Sequence, residues 1–276
     1  RGLGDVYKRQ PKYGVEAEWD KDAGNYKLYT HYDRELAGDD VGVWFSYETT
    51  EGEQLEVRMG VSFVSVENAR LNLEAEQQER SFDDIRAAAR RSWNDDLGRI
   101  RVEGGTDAQK KVFYTGLYHA LIHPNVLSDV NGEYPAMESA EIRTAEGNRY
   151  TVFSLWDTYR NLHQLMTLVY PERQLEMVRS MIGMYKEWGW LPKWELYGRE
   201  TFTMEGDPAI PVIVDTWMKG LRDFDMDAAY EAMRKSATTP GAQNRMRPDI
   251  DPYVEKGYVP LGFYARDLSG DNSVSH

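Results

Sequence analysis

The chain has 276 residues and a net charge of −13, with 41% hydrophobic residues, 29% charged residues and no cysteine. The apolar share supports a packed core and excludes a disordered chain, and the acidity repels phosphate backbones and so excludes nucleic acid as the main partner. Disulfides, thiolate zinc sites and cysteine nucleophiles are excluded outright, and no run reaches the roughly 18 apolar residues of a membrane span.

Residues 1–10 carry no pattern that joins them to the rest of the chain, nor the charged and apolar regions of a signal peptide. They read as a non-native segment outside the fold. From Val41 to Val64 the chain reads as β structure. Val41-Gly42-Val43-Trp44-Phe45-Ser46-Tyr47 is β-branched and aromatic, and after a polar turn Leu55, Val57, Met59, Val61 and Phe63 alternate with Glu56, Arg58, Gly60 and Ser62. Period two predicts a strand with one apolar and one wet face.

After Ser65 the period becomes helical, through an acidic stretch to Arg80. Ser81 with Asp84 predicts an N-cap, followed by a stripe of Phe82, Ile85, Ala88, Ala89 and Trp93. Thr106 with Gln109 repeats the capping pattern and opens a helix that stops at Pro124. Ser154 with Asp157 predicts a helix running to about Tyr170, and Pro171 starts another that ends at Gly189. Asp207-Pro208 starts a helix ending near Gly220, and Asp225 starts one through Ala229, Ala232 and Met233. With no strand between them, these helices read as stacked αα-hairpins. The order is a β piece, a linker, then an all-α piece.

Aromatic residues are in excess, with 8 Trp, 18 Tyr and 8 Phe making 12% of the chain. Such side chains build large cores, and they also line carbohydrate clefts, where a flat ring covers a sugar's C–H face and carboxylates bind its hydroxyls. Phe153-Ser154-Leu155-Trp156-Asp157-Thr158-Tyr159-Arg160 fits the second use. It fits the first equally, with Asp157 complementing a helix dipole and Trp156 filling core. The loop Gly189-Trp190-Leu191-Pro192-Lys193-Trp194 through Glu200, Met204 and Gly206-Asp207 reads either as a cleft rim or as a loop folded over helix ends. His119 and His123 have the spacing of metal ligands but lack the zincin glutamate, so they read as core or supporting residues. Asp223, Asp225 and Asp227 lack the glycine and bidentate glutamate of a calcium loop, and helix capping explains them better.

Taken together, several ordered blocks resemble glycoside hydrolase family 92, the exo-acting α-mannosidases. They include Val57 to Arg70, Phe113-Tyr114-Thr115-Gly116-Leu117-Tyr118-His119, His123-Pro124-Asn125, Asp129-Val130-Asn131-Gly132-Glu133-Tyr134 and Phe153 to Arg160. Further blocks are Gly189 to Trp194, Gly206-Asp207-Pro208-Ala209-Ile210-Pro211-Val212-Ile213, Lys219-Gly220, Gly257-Tyr258-Val259-Pro260 and Ser273-Val274-Ser275. The resemblance implies the end of an N-terminal β-sandwich over residues 11–65, a helical linker over 66–100, and the first part of an (α/α)6 barrel over 101–276. It implies a calcium-dependent hydrolase of α-1,2 type that releases terminal mannose from N-glycans or mannans with inversion, outside the cytoplasm in the periplasm or beyond. Inversion needs an acid and a base about 6.5–9.5 Å apart. In the family these lie in Glu-Gly-Asn-Ala-Trp-like and Asn-Asp-Asp-x-Gly-like blocks, and neither block occurs here. The expectation is therefore an internal fragment, inactive alone, with no catalytic residue and few calcium ligands of its own, and prone to self-association. By the same resemblance Trp156 and Asp157 contact the terminal mannose, Arg160 orients Asp157, and Glu200 and Asp207 line the pocket. The alternatives are another (α/α)-barrel glycosidase or phosphorylase, or a non-catalytic carbohydrate-binding module.

Overall fold

The computed structural model describes residues 13–20, 25–29, 41–204 and 206–260. The expected non-native segment and the block Ser273-Val274-Ser275 lie outside them. The chain divides into two units, residues 1–58 with 79–84 and residues 59–78 with 85–276.

The first unit holds an antiparallel sheet of β1 (Tyr13–Asp20), β2 (Asn25–Tyr29) and β3 (Val41–Ser46), in the order β2-β1-β3. Glu16 pairs with Tyr29 on one side and with Val43 on the other. The β-branched and aromatic run from Val41 does form a strand.

The alternating segment from Leu55 does not. Among the described residues it pairs with no strand, and Leu55, Val57, Met59, Val61 and Phe63 are all exposed, Val57 to 83%. Alternation specifies which face wants burial, but a strand exists only where a neighbouring ladder takes up its N–H and C=O groups. Residues 59–64 lie instead along α1 (Val66–Gln77), capped by Ser65. Gly60 is required there, since a Cβ would stand 2.0 Å from the Ala69 carbonyl oxygen.

One buried carboxylate ties this corner together. Asp129 accepts from Ser62 Oγ at 2.6 Å, Asn68 Nδ2 at 2.8 Å and Asn72 Nδ2 at 2.6 Å. Asp129→Ala leaves three donors without their acceptor and is expected to lower stability by about 2 kcal/mol, read from the midpoint of urea unfolding.

Further along, the helical caps follow the sequence closely. Ser81 and Asp84 exchange reciprocal bonds at the start of α2 (Phe82–Leu97), and Thr106 and Gln109 form a capping box on α3 (Asp107–Ala120). Short strands then intervene where the sequence predicts none. They are β4 (Asn125–Val126), β5 (Glu133–Pro135), β6 (Ile142–Thr144), β7 (Tyr150–Thr151), β8 (Phe153–Ser154), β9 (Trp194–Leu196) and β10 (Arg199–Glu200). Two or three residues are too few to show a period.

The helix predicted from Ser154 to Tyr170 is in fact two, α4 (Leu155–Thr158) and α5 (Leu162–Val169). Gln164 Nε2 donates to the Tyr159 carbonyl at 2.9 Å, so a side chain takes an acceptor that a continuous helix would have used. Next come α6 (Pro171–Trp188), with proline in its first turn and Gly189 left-handed at φ 95° at its end, α7 (Ala209–Met218), α8 (Met226–Thr238) and α9 (Ile250–Lys256). Asp225 caps α8 by accepting from Ala228 N, and binds Lys186 Nζ at 2.6 Å. His119 and His123, expected among core residues, are exposed, and His123 lies past the end of α3.

α6 is the central element, packed on α5, α7 and α8. Its Met177, Val178, Met181, Ile182 and Met184 bury with Phe153, Leu155, Val212, Ile213 and Ala229. This core carries the start of α4 on one of its edges. Leu168 on α5 and Val214 and Met218 on α7 keep exposed apolar side chains. Among the described residues no helix is long and apolar enough to cross a membrane.

Candidate functional site

The site is built on the sheet β10-β9-β8, in which Phe153 pairs with Glu195, Ser154 with Trp194 and Glu195 with Glu200. Two buried glutamates hold it. Glu195 is 0% exposed and accepts from Thr151 Oγ1 at 2.7 Å, Val152 N at 3.0 Å and Gly198 N at 2.6 Å. Glu200 accepts from Lys193 N at 2.8 Å, Trp194 N at 3.0 Å and Phe202 N at 2.9 Å. Burial pushes both carboxyls above the ordinary range, opposed by the N–H donors.

Local backbone strain accompanies these bonds. Among the described residues, five non-glycine residues with positive φ lie in or beside this sheet: Glu138, Val152, Tyr197, Phe202 and Met204. Val152 at φ 62° is a β-branched residue in the left-handed region, a cost of order 1–3 kcal/mol, offset where its N–H reaches Glu195.

Immediately after β8, α4 presents Trp156 half-buried and Asp157 exposed. Asp157 does not cap the helix. Its Oδ2 accepts from Ser154 Oγ at 2.7 Å, and among the described residues no hydrogen bond reaches Oδ1. Arg160 lies with its guanidinium 4.3 Å from the Trp156 ring centre and its Nε donating to the Trp156 carbonyl at 3.2 Å. Its contacts are thus with Trp156, whereas the family resemblance sets it against Asp157. Tyr159 tilts against the same indole at 5.5 Å.

Glu200 and Asp207 belong to a second group, joined to the first through the sheet. Leu155 N donates to the Lys193 carbonyl at 3.3 Å, and Glu200 binds the Lys193 and Trp194 amides. Glu200 thus serves as an internal scaffold. Asp207, just before α7, is partly accessible and lies 3.5 Å from Arg247 Nη1, while Arg247 Nε reaches Asp249 at 3.4 Å. Burial raises the Asp207 pKa, opposed by Arg247 and Lys193. Burial lowers the Lys193 pKa, opposed by Glu200, Asp249 and Asp207. Sequence reasoning misses Lys193, Arg247 and Asp249. Lys193 stands inside one of the family-like blocks, but its charge gives no sign of burial.

Among the described residues no three His, Asp or Glu side chains are grouped to hold a metal ion.

A half-buried ring, an exposed carboxylate and a strained sheet thus meet at the start of α4, in a fold of a mainly helical class. Comparison with known proteins gives the class its name. The family model described as the glycosyl hydrolase family 92 catalytic domain matches residues 68–276, and the chain belongs to that family. Among solved structures, it is similar to the family GH92 inverting mannosidase BT2199 from Bacteroides thetaiotaomicron, with TM-score 0.81 and 31% identity over 91% of this chain and 34% of that one. It is also similar to the α-mannosidase BT3965 of the same organism, with TM-score 0.74 and 31% identity over 90% of this chain and 33% of that one. A secreted glycosidase of Arthroderma benhamiae, described as uncharacterized, is 27% identical over 76% of this chain and 24% of its own length. The chain thus spans about a third of the solved relatives it matches.

Proposed function

We propose that this chain supplies the sugar-holding part of an inverting exo-α-mannosidase that acts outside the cytoplasm on terminal α-1,2-linked mannose of N-glycans or mannans. On this reading its first unit is the end of a β-sandwich, and its helices from α3 onward are the first part of an (α/α)6 barrel. The observation that carries the reading is the pairing on α4: an accessible indole beside a carboxylate with one oxygen uncommitted. The sugar's apolar face stacks on the side of Trp156 away from Arg160, and the uncommitted oxygen of Asp157 accepts from a sugar hydroxyl. Two relatives support the substrate class: one solved relative is an inverting mannosidase, and BT3965 is solved in complex with mannoimidazole. The secreted relative supports the compartment.

On this reading the two buried glutamates of the sheet supply neither the acid nor the base. Glu195 and Glu200 are buried and occupied as acceptors of three hydrogen bonds each, so neither can meet a water and a glycosidic oxygen on opposite faces of a ring. The acid and base of the reaction, and the calcium that would help hold the sugar, belong on this reading to polypeptide outside these 276 residues.

The test is titration calorimetry of the chain with mannose and with glucose, beside an assay on α-1,2-mannobiose with calcium. Mannose-selective binding without enzyme-like turnover is expected, weakened at least about tenfold in Trp156→Ala through loss of the stacking face. Equal binding of glucose, or binding unchanged in the variant, refutes the assignment of α4. Turnover would place the catalytic carboxylates within this chain.

A further inference from the structure

The α4 segment is only four residues long, shorter than any helix that holds itself in water. Ser154, its N-cap, makes no side-chain bond to the helix backbone, because its hydroxyl goes to Asp157. Something else must fix the direction in which Trp156 and Asp157 point. At the N-terminal end this is the pairing of Ser154 with Trp194 and the complete burial of Leu155. At the C-terminal end it is a chain of buried polar groups.

Thr158 Oγ1 lies 3.1 Å from His163 Nε2, and His163 Nδ1 lies 3.0 Å from Gln174 Oε1. Gln174 Nε2 donates to Thr216 Oγ1 at 2.8 Å, which donates to the Val212 carbonyl at 2.7 Å. The chain fixes its own proton positions. Because the Gln174 amide nitrogen serves Thr216, its oxygen faces His163 and must accept, so the ring carries hydrogen on Nδ1. Nε2 is then an acceptor, and the Thr158 hydroxyl donates to it. His163, Gln174 and Thr216 are at most 1% exposed.

At one end this chain closes inside α7, where Thr216 bonds back to its own helix. At the other it emerges at Thr158, the half-buried residue between Asp157 and Tyr159, and Tyr159 touches the Trp156 ring.

We propose that His163 is a positioning residue of the Trp156–Asp157 site, fixing the C-terminal end of α4 through Thr158 and so setting the indole and the carboxylate toward a sugar. This rests on the sugar-site reading of α4, and the test separates the two. The 276-residue chain is labelled with 5-fluorotryptophan, and the fluorine line of Trp156 is assigned with Trp156→Phe. Thr158→Val keeps the shape of the side chain and removes its donor, whereas Thr158→Ser keeps the donor. The valine variant is expected to shift or broaden the Trp156 line and to weaken mannose binding about five- to tenfold, the worth of one hydrogen bond. The serine variant should restore both.

A purely structural role would lower the melting temperature and leave the line and the affinity as they were, and that result overturns the proposal. If the unmodified chain binds no mannose while the line still moves with valine and returns with serine, positioning stands and the sugar reading fails. Nitrogen-15 NMR of His163 in the unmodified chain gives a second check, independent of how the variants fold. Hydrogen on Nδ1 is expected, and hydrogen on Nε2 would show that Thr158 does not donate and would overturn the proposal.

Discussion

Glu187→Ala is expected to lower the unfolding free energy by about 3–5 kcal/mol, the cost of leaving one partner of a buried ion pair uncompensated. Glu187 and Arg149 meet at 2.8 Å with side chains only 2% and 4% exposed. The carboxylate also accepts from Tyr134 Oη at 2.9 Å and Met137 N at 2.7 Å. Arg149 in turn donates to the Ser180 carbonyl and stacks over the Tyr134 ring at 4.7 Å. Burial, opposed by Arg149 and assisted by Glu187, pushes the Tyr134 hydroxyl up to about 12. Gly183 makes the passage for the guanidinium, since a Cβ there would stand 2.5 Å from Arg149 Nη1. The pair is nevertheless imperfect, because Arg149 Nε is buried without a hydrogen-bond partner. Replacing both partners, as Arg149→Met with Glu187→Leu, should therefore recover the part of the loss that comes from the uncompensated charge, while the Tyr134 and Met137 donors still lack their acceptor. Urea unfolding of the single and double variants checks both statements, and a double variant as unstable as Glu187→Ala would refute the second.

The second large effect is one of pH. Burial lowers the His163 pKa from 6.5 to about 4, only partly opposed by its bond with Gln174. The folded chain therefore holds the ring neutral while the unfolded chain protonates it near its ordinary value. The resulting stability is fully present above pH 6.5 and is lost as pH falls toward 4. From the size of the shift the loss is about 3 kcal/mol. Glu195, Glu200 and Asp207 act with the opposite sign, because their raised pKa values let the folded chain take up protons first. Two measurements isolate the histidine: its ring-proton NMR titration, expected to have its midpoint near 4, and the difference in pH slope between the unmodified chain and His163→Phe. A midpoint near 6.5 would refute the argument.

What could be read from sequence was local. Ser81 with Asp84, Thr106 with Gln109, Pro171 with Gly189 and Asp225 each set a helix boundary through groups within a few residues of one another or of the helix end, and the structure has each of them in place. What could not be read was decided at a distance. The split at Tyr159 depends on a side-chain amide that is five residues away and turned inward. The fate of Leu55 to Phe63 depends on a neighbour that alternation cannot reveal. For the proposed site, the residues alone left Trp156 and Asp157 open between core and cleft, because a ring and an acid at a helix start serve either use, and only the resemblance to the family set them against a sugar. His163 was not legible at all, since one histidine between Leu162 and Gln164 looks like any other until Thr158, Gln174 and Thr216 are brought to it from three different helices.

That last arrangement bears on how this scaffold could be retuned. A mutagenesis library restricted to Trp156 and Asp157 would vary the indole and the acid while leaving untouched the deeper residues proposed to aim them. Randomising positions 158, 163, 174 and 216 as one block would instead vary the support beneath α4 while leaving Trp156 and Asp157 as they are.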